Sequence, residues 1–173
     1  MRYAVVIISC LMAGAAAAAD SKTANAEAAT AQLEPTQGHN ASGSLKLVPE
    51  RNAVRISGSI KGLQPNAEHG FHVHEKGDCS APDASSAGAH FNPAAKPHGH
   101  PQNAEHHAGD MLNAKADADG VAKIDVSVTG VTLRSGGAKD VLGKSIVVHQ
   151  KADDYKSQPS GNSGDRIACG VIE

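Results

Sequence analysis

The chain has no tryptophan, and only two tyrosines and two phenylalanines in 173 residues. Aromatic rings cannot build its interior, so aliphatic residues must fill most of the core. Charge of one sign is also missing: the formal net charge is -2 at pH 7. The lysines and arginines are scattered rather than striped, so there is no basic footprint for nucleic acid. Helical periodicity is scarce. Glycine (18), proline (8) and β-branched runs are common instead, which favours an all-β fold. The length fits one domain with room for a real core.

A long hydrophobic run is lacking too. The apolar stretch near the N-terminus has the length of a signal core and is short of the ~20 residues that a stable span needs. Residues 1–19 read as an export signal, with Arg2 as a short positive start and Ala4-Val5-Val6-Ile7-Ile8 opening the apolar stretch. Ala17-Ala18-Ala19 offer small residues for cleavage, so the mature chain is expected to begin at Asp20. Acylation of Cys10 is a minor option. Cysteines number three, and removal of residues 1–19 takes Cys10 away. Cys79 and Cys169 remain, an even number in an exported protein, and a disulfide is the natural inference. It would close a loop of about 90 residues, credited by chain-entropy models with roughly 4–5 kcal/mol at most.

Residues 20–30 are rich in Ala, Ser and Thr and read as a flexible leader. The domain proper is expected over 31–173. Alternating patterns predict strands at Ser44–Val48, Val54–Ile60, His69–Glu75, Met111–Ala116, Val121–Val128, Ser145–Gln150 and Ile167–Ile172. Residues 76–108 form a long stretch of Gly, Pro, Asn, His and Asp, and Lys151–Asp165 form a second polar loop. Loops of such length are usually functional or disordered. About eight short antiparallel strands with two long loops point to a sandwich or flattened barrel.

Histidines are the notable presence. His72 and His74 are two apart on a predicted strand and leave the same face, about 7 Å apart at the backbone, within reach of one metal. An H-x-H alone is a weak signal, and His149 by itself reads as a satisfied core histidine. His90, His98, His107 and Asp110 lie in and just after the long loop. Three imidazoles and a carboxylate complete a tetrahedral zinc shell, and imidazoles also suit copper. The two groups supply three imidazoles and four ligands, so one shared ligand would give each site four. A shared imidazole must lose both protons, which two dications make feasible. Spacing alone does not identify which histidine is shared.

Several segments together resemble a known family: Gly58–Leu63, His69-Gly70-Phe71-His72-Val73-His74-Glu75, His90-Phe91-Asn92-Pro93, His98-Gly99 through His107-Ala108-Gly109-Asp110, Val147-Val148-His149 with Lys151-Ala152-Asp153-Asp154, and Arg166–Ile172. They are similar to the copper/zinc superoxide dismutases, in particular the bacterial periplasmic branch, over essentially the whole chain after about residue 30. The resemblance implies an eight-stranded antiparallel Greek-key sandwich or flattened barrel with two long functional loops. It implies one copper per subunit on His72, His74, His90 and His149, and one zinc on His90, His98, His107 and Asp110, with His90 as the bridge. It further implies that Asp153 links His72 to His98, that Arg166 positions superoxide, and that Cys79 and Cys169 form the disulfide. The expected activity is superoxide dismutation in the periplasm. No nucleic acid and no stable membrane association after signal cleavage are expected, and the chain would be a monomer or a homodimer.

The family motif places a zinc histidine three residues before the aspartate, which selects His107 over His106. His69 fits a structural position beside the copper strand. His39 and His100 are expected to be exposed, Asp140 and Asp154 to be solvated charges, and Glu75 to pair with a nearby base. The chain departs from the eukaryotic pattern in two places: Cys79 lies closer to His74, and the loop between His149 and Arg166 is shorter. The second departure puts the family's charge guidance in doubt, with Lys76, Lys144 or Lys151 as replacements. The competing reading is a non-catalytic copper/zinc storage or delivery domain on the same fold. A purely structural zinc sandwich would leave His72, His74 and His149 unexplained.

Overall fold

The computed structural model describes residues 28–173. The export-signal reading, the Cys10 option and residues 20–27 of the expected leader lie outside the described residues.

The described residues form nine strands: β1 (Ala29–Pro35), β2 (Ser42–Glu50), β3 (Ala53–Lys61), β4 (Glu68–His69), β5 (Phe71–His74), β6 (Ala114–Lys115), β7 (Ala122–Thr129), β8 (Ser145–His149) and β9 (Arg166–Val171). Their residues alternate as a half-buried sheet requires. On β2, Leu45 and Leu47 are buried and Lys46 is exposed; on β3, Val54 and Ile56 are buried around an exposed Arg55. Seven strands make one antiparallel sheet in the order β5-β8-β9-β1-β2-β3-β7, and β4 pairs with β6. The large sheet curls into a half-barrel. Its two ends are joined through the β4–β6 ribbon, because β4 precedes β5 and Ala116, just after β6, bridges Ala122 of β7.

Aliphatic residues fill the interior, as the shortage of aromatics requires. Leu33, Leu45, Leu47, Ile56, Ile60, Ile146 and Ile172 are essentially inaccessible, and Phe71 joins them. Each such side chain contributes about 1.5–3 kcal/mol by leaving water. Among the described residues, no helix is long and apolar enough to cross a membrane.

Several expected boundaries shift. The strand read at His69–Glu75 is two strands broken at Gly70. There the backbone turns to pair with Lys151 and His149 (Gly70 N to Lys151 O, 2.8 Å; His149 N to Gly70 O, 2.8 Å). The strand read at Met111–Ala116 shrinks to two residues, and β1 begins at Ala29, inside the expected leader. The long loop holds one turn of 3₁₀ helix, Ser85–Ala87. It folds back along the outer edge of β5, with Phe91 N donating to Val73 O (2.8 Å) and Val73 N to Gly109 O (2.9 Å).

Candidate metal centre

β5 supplies the foundation. Phe71 and Val73 point into the core, so His72 and His74 leave the opposite face together. His149 ends β8, the strand beside β5. Isolated bridges bring the loop alongside: His74 opposes His90, and His72 opposes Asp110. These residues, with His98 and His107, are all buried. They fall into two groups, His72/His74/His90/His149 and His90/His98/His107/Asp110, with ligand atoms of each group within 4.8 Å of one another. His90 belongs to both.

In the first group, each outer nitrogen has a partner. His72 Nε2 meets Asp153 Oδ2 at 2.8 Å, His74 Nδ1 meets the Gly88 carbonyl at 2.9 Å, and His149 Nδ1 meets the Gly164 carbonyl at 3.3 Å. A carbonyl only accepts, so Nδ1 of His74 and His149 carries the proton and each Nε2 carries a lone pair. Those two Nε2 atoms face each other at 3.4 Å. His72 Nδ1 and His90 Nε2 are buried without any partner. Burial, then the neighbouring histidines, hold His74 and His149 well below the usual imidazole range. Burial likewise takes His90 down to about 4, against the pull of Asp110. Neutral imidazoles with converging lone pairs repel one another unless a cation sits among them.

The second group centres on Asp110 Oδ1, which lies 2.8 Å from His90 Nδ1, 3.1 Å from His98 Nδ1 and 3.3 Å from His107 Nδ1. Those separations suit the edges of a tetrahedron about an ion with bonds near 2.0 Å, roughly 3.3 Å. Asp110 Oδ2 accepts the His107 and Gly99 amides at 2.8 and 3.2 Å. Burial works against the Asp110 charge, but hydrogen bonds from His107, His90 and His98 outweigh it and hold the carboxyl far below its ordinary range. His98 lies between Asp110 and Asp153. Burial opposes a charge there, yet the two carboxylates raise His98 to about 9. A cation bound at Nδ1 would take the place of that proton.

Asp153 touches both groups, through Oδ2 to His72 and through Oδ1 to His98 Nε2 at 3.0 Å. Outer carboxylates of this kind fix ring orientation. Arg166, half-buried, donates from Nη1 to the Ala84 carbonyl and from Nη2 to the Gly88 carbonyl, both at 2.7 Å. Burial lowers its guanidinium somewhat, and Asp83 works the other way. Arg166 opens on a cavity of about 700 Å³ that also exposes His74, His90 and His149, with Pro159 and Ser160 in its wall. Cys79 and Cys169 form a disulfide, 90 residues apart in sequence.

Residues outside these groups also find places. His106 stands aside, its Nδ1 on the His107 carbonyl at 2.6 Å. His69 is buried and donates from Nδ1 to the carbonyl of His149 at 2.8 Å. His39 and His100 are half-buried rather than exposed, and His100 packs edge-on against the Tyr155 ring. Glu75 accepts the Ala89 amide at 3.2 Å instead of pairing with a base. Asp140 and Asp154 are not merely solvated: each gathers several backbone amides of its own loop. Of the three lysines, Lys144 lies over the Phe91 ring and the Lys151 stem lies against Gly164. Sequence reading missed Asn113, which brackets the Asp153 backbone (Asp153 N to Oδ1, 2.9 Å; Nδ2 to Asp153 O, 3.1 Å), and Gln158. Amides in polar loops carry no periodic or spacing signal that would have found them.

A half-barrel with two buried polyhistidine groups that share one imidazole defines a protein built for two adjacent cations. Orphaned nitrogens, the neutral donor set and the tetrahedral spacing all fit copper in the first group and zinc in the second. The family model described as "Copper/zinc superoxide dismutase (SODC)" matches residues 41–172. The chain is 44% identical over 147 residues to superoxide dismutase [Cu-Zn] 2 of Aquifex aeolicus, covering 83% of this chain and 85% of that one. It is 42% identical over 142 residues to the extracellular superoxide dismutase [Cu-Zn] of Brugia pahangi, covering 77% and 69%. Among solved structures, a SOD-like protein from Bacillus subtilis superposes with a TM-score of 0.74 at 37% identity, over 83% of this chain and 97% of that one. The chain belongs to the copper/zinc superoxide dismutase family.

Proposed function

We propose that the chain is a superoxide dismutase, turning two superoxide anions and two protons into dioxygen and hydrogen peroxide. One observation carries this reading: the two metal-competent groups share His90, and the first opens on the same cavity as Arg166. A non-catalytic store has no need of an arginine beside the ligands. Here both groups are complete and Arg166 is present.

Copper bound by His72, His74, His90 and His149 would supply one-electron chemistry, alternating Cu(II) and Cu(I), and zinc on His90, His98, His107 and Asp110 would supply charge and order. The chain's own residues do the rest. Arg166 places a fixed positive charge at the cavity. Two of its N–H groups are taken by Ala84 and Gly88, which fixes the plane of the guanidinium and leaves the others for a small anion. In a protein of net charge -2, such a local positive field is what draws an anion in. His90 lines the cavity and its buried Nε2 has no hydrogen-bond partner, so that nitrogen would hold one proton in one half of the cycle and pass it to the peroxide product in the other, the second proton coming from solvent. Asp153 holds His72 and His98 against rotation while charge changes nearby.

We also propose that residues 1–19 direct export, with the mature chain starting at Asp20 and acting in the periplasm. The short apolar stretch ending in Ala17-Ala18-Ala19 supports this, as does a disulfide, which persists in oxidising compartments.

The test is superoxide dismutation by the purified chain from Asp20 onward, loaded with copper and zinc, beside zinc-only and metal-free samples. Activity that depends on copper is expected. Full loading without activity would favour storage or delivery.

A further inference from the structure

Two side chains of the loop between β8 and β9 hydrogen-bond His98. Asp153 is the first. The second is Gln158, whose amide grips the main chain of His98 at both ends: His98 N donates to Gln158 Oε1 and Gln158 Nε2 donates to His98 O, each at 2.9 Å. The pair imitates one rung of an antiparallel ladder. Asp153 fixes the His98 ring, and Gln158 fixes the backbone that carries it. A ring held only at Nε2 can still shift with its Cα; held at both, its Nδ1 has one position.

Between and beyond these two residues, the loop is tied to itself. Asp154 accepts the Lys156 and Ser157 amides, the Ser157 hydroxyl and the Asn162 side chain. Asp154 N donates to Gly161 O, and Gly161 N to Ser157 O. Gly161 closes over the His98–Asp153 contact so tightly that a Cβ would lie 1.8 Å from Asp153 Oδ1. The next residues after Gln158, Pro159 and Ser160, line the same cavity as Arg166. The segment is therefore densely tied to itself, and Gln158 connects it to a residue of the second group.

We infer that Gln158 is a positioning residue that couples the zinc group to the wall of the substrate cavity. The inference rests on reading His90, His98, His107 and Asp110 as a zinc site. Zinc on His98 Nδ1 fixes the His98 backbone, the Gln158 clamp carries that order to 156–162, and Pro159 and Ser160 are held at the mouth. In the other direction, the clamp slows the departure of zinc.

Two variants test this in the full mature chain. Gln158→Ala removes both bonds; Gln158→Glu keeps an acceptor for the His98 amide but has no donor for its carbonyl. Gln158 is exposed, so neither change opens a cavity. Zinc loss to a chelator is expected to run about tenfold faster in Gln158→Ala, in line with other outer contacts to metal ligands, and to be intermediate in Gln158→Glu. The melting temperature should fall further for the zinc-loaded form than for the metal-free form, which loses only the two bonds to His98. In hydrogen exchange, zinc should protect both 98–110 and 156–162 in the wild type but only 98–110 in Gln158→Ala. Wild-type zinc loss together with zinc-dependent protection of 156–162 in Gln158→Ala would overturn the coupling. An equal drop in melting temperature with and without zinc would reduce Gln158 to a structural residue and overturn it too. Absence of zinc-dependent protection at 98–110 in the wild type would overturn the zinc reading itself, and the coupling with it.

Discussion

His74 and Arg166 are held by a single atom: the carbonyl oxygen of Gly88 accepts His74 Nδ1 at 2.9 Å and Arg166 Nη2 at 2.7 Å. A candidate copper ligand and the guanidinium that lines the same cavity are thus linked through one peptide group. Only glycine suits that place. Its φ is +76°, and a Cβ would sit 2.6 Å from the Glu75 carboxylate. The disulfide ties the same loop to β9, with Cys169 three residues beyond Arg166.

Replacing Arg166 by Ala should leave both metals bound, because His74 keeps its own bond to Gly88. Turnover should fall by about a hundredfold to a thousandfold, the scale of losing a fixed donor aimed at developing charge. Metal content and kcat/KM measured on the same sample check this; loss of copper in the variant contradicts the role given to Arg166. Arg166→Lys should recover little, since an ammonium cannot hold two carbonyls in one plane.

His90 should link the two metals spectroscopically. Removing zinc from the wild-type protein is expected to change the copper absorption and electron paramagnetic resonance spectra, and His90→Ala should abolish that response. A copper spectrum indifferent to zinc in the wild type counts against a shared imidazole.

Asp153→Ala takes the acceptor away from both His72 Nε2 and His98 Nε2. Affinity should fall by about 10- to 100-fold for both metals, not for one. Competition with chelators of graded strength gives the two constants, and a loss confined to one metal refutes the double role.

Acid should weaken the metal-free chain in a defined window. His74 and His149 are held well below the ordinary imidazole value, and His90 is near 4. The unfolded chain takes up protons near pH 6.5 that these folded histidines refuse, so stability falls as pH drops from about 6.5 toward 4. His98 has the opposite sign. Raised to about 9, it contributes stability that is complete below about 6.5 and lost as pH rises through 9, so it adds no slope in the acidic window. The Asp110 and Asp153 contributions, both from depressed carboxyls, disappear only below about pH 4. Denaturant titrations of the metal-free chain from pH 8 to 4 measure this, and a flat or rising stability between 6.5 and 4.5 excludes it.

Breaking Cys79–Cys169 with reductant, or by Cys79→Ser, should lower the melting temperature. The loop it closes is 90 residues long, for which the loop-entropy ceiling is about 4–5 kcal/mol. The effect should include looser packing of the loop that presents Gly88 to Arg166. A melting temperature indifferent to reductant sinks this account.

Much of the site was legible because metal ligands obey simple geometry. The alternation of His72 and His74 placed two imidazoles on one face, and the loop histidines with Asp110 supplied the remaining donors. The fold class followed from period-two patterns in β2, β3 and β7. What stayed hidden was set by contacts distant in sequence. Phe71 and Val73 alternate with His72 and His74 and suggest one strand from His69 to Glu75, and the break at Gly70 appears only when residues 149–151 pair there. β1 begins within an Ala- and Thr-rich stretch that resembles a leader, because its strand character comes from β2 beside it. Gln158 and Asn113 act on backbone groups 60 and 40 residues away, and nothing local to an amide in a polar loop announces such a partner.

β5 lies at the end of the large sheet, and among the described residues no regular strand flanks its outer side. The loop covers that side instead, through the short bridges at His90 and Asp110 and the amide bonds from Phe91 and to Gly109. An uncovered strand edge is a template on which another chain can add a strand. The segment that gathers the candidate metal ligands is therefore also the cap on the open edge of β5.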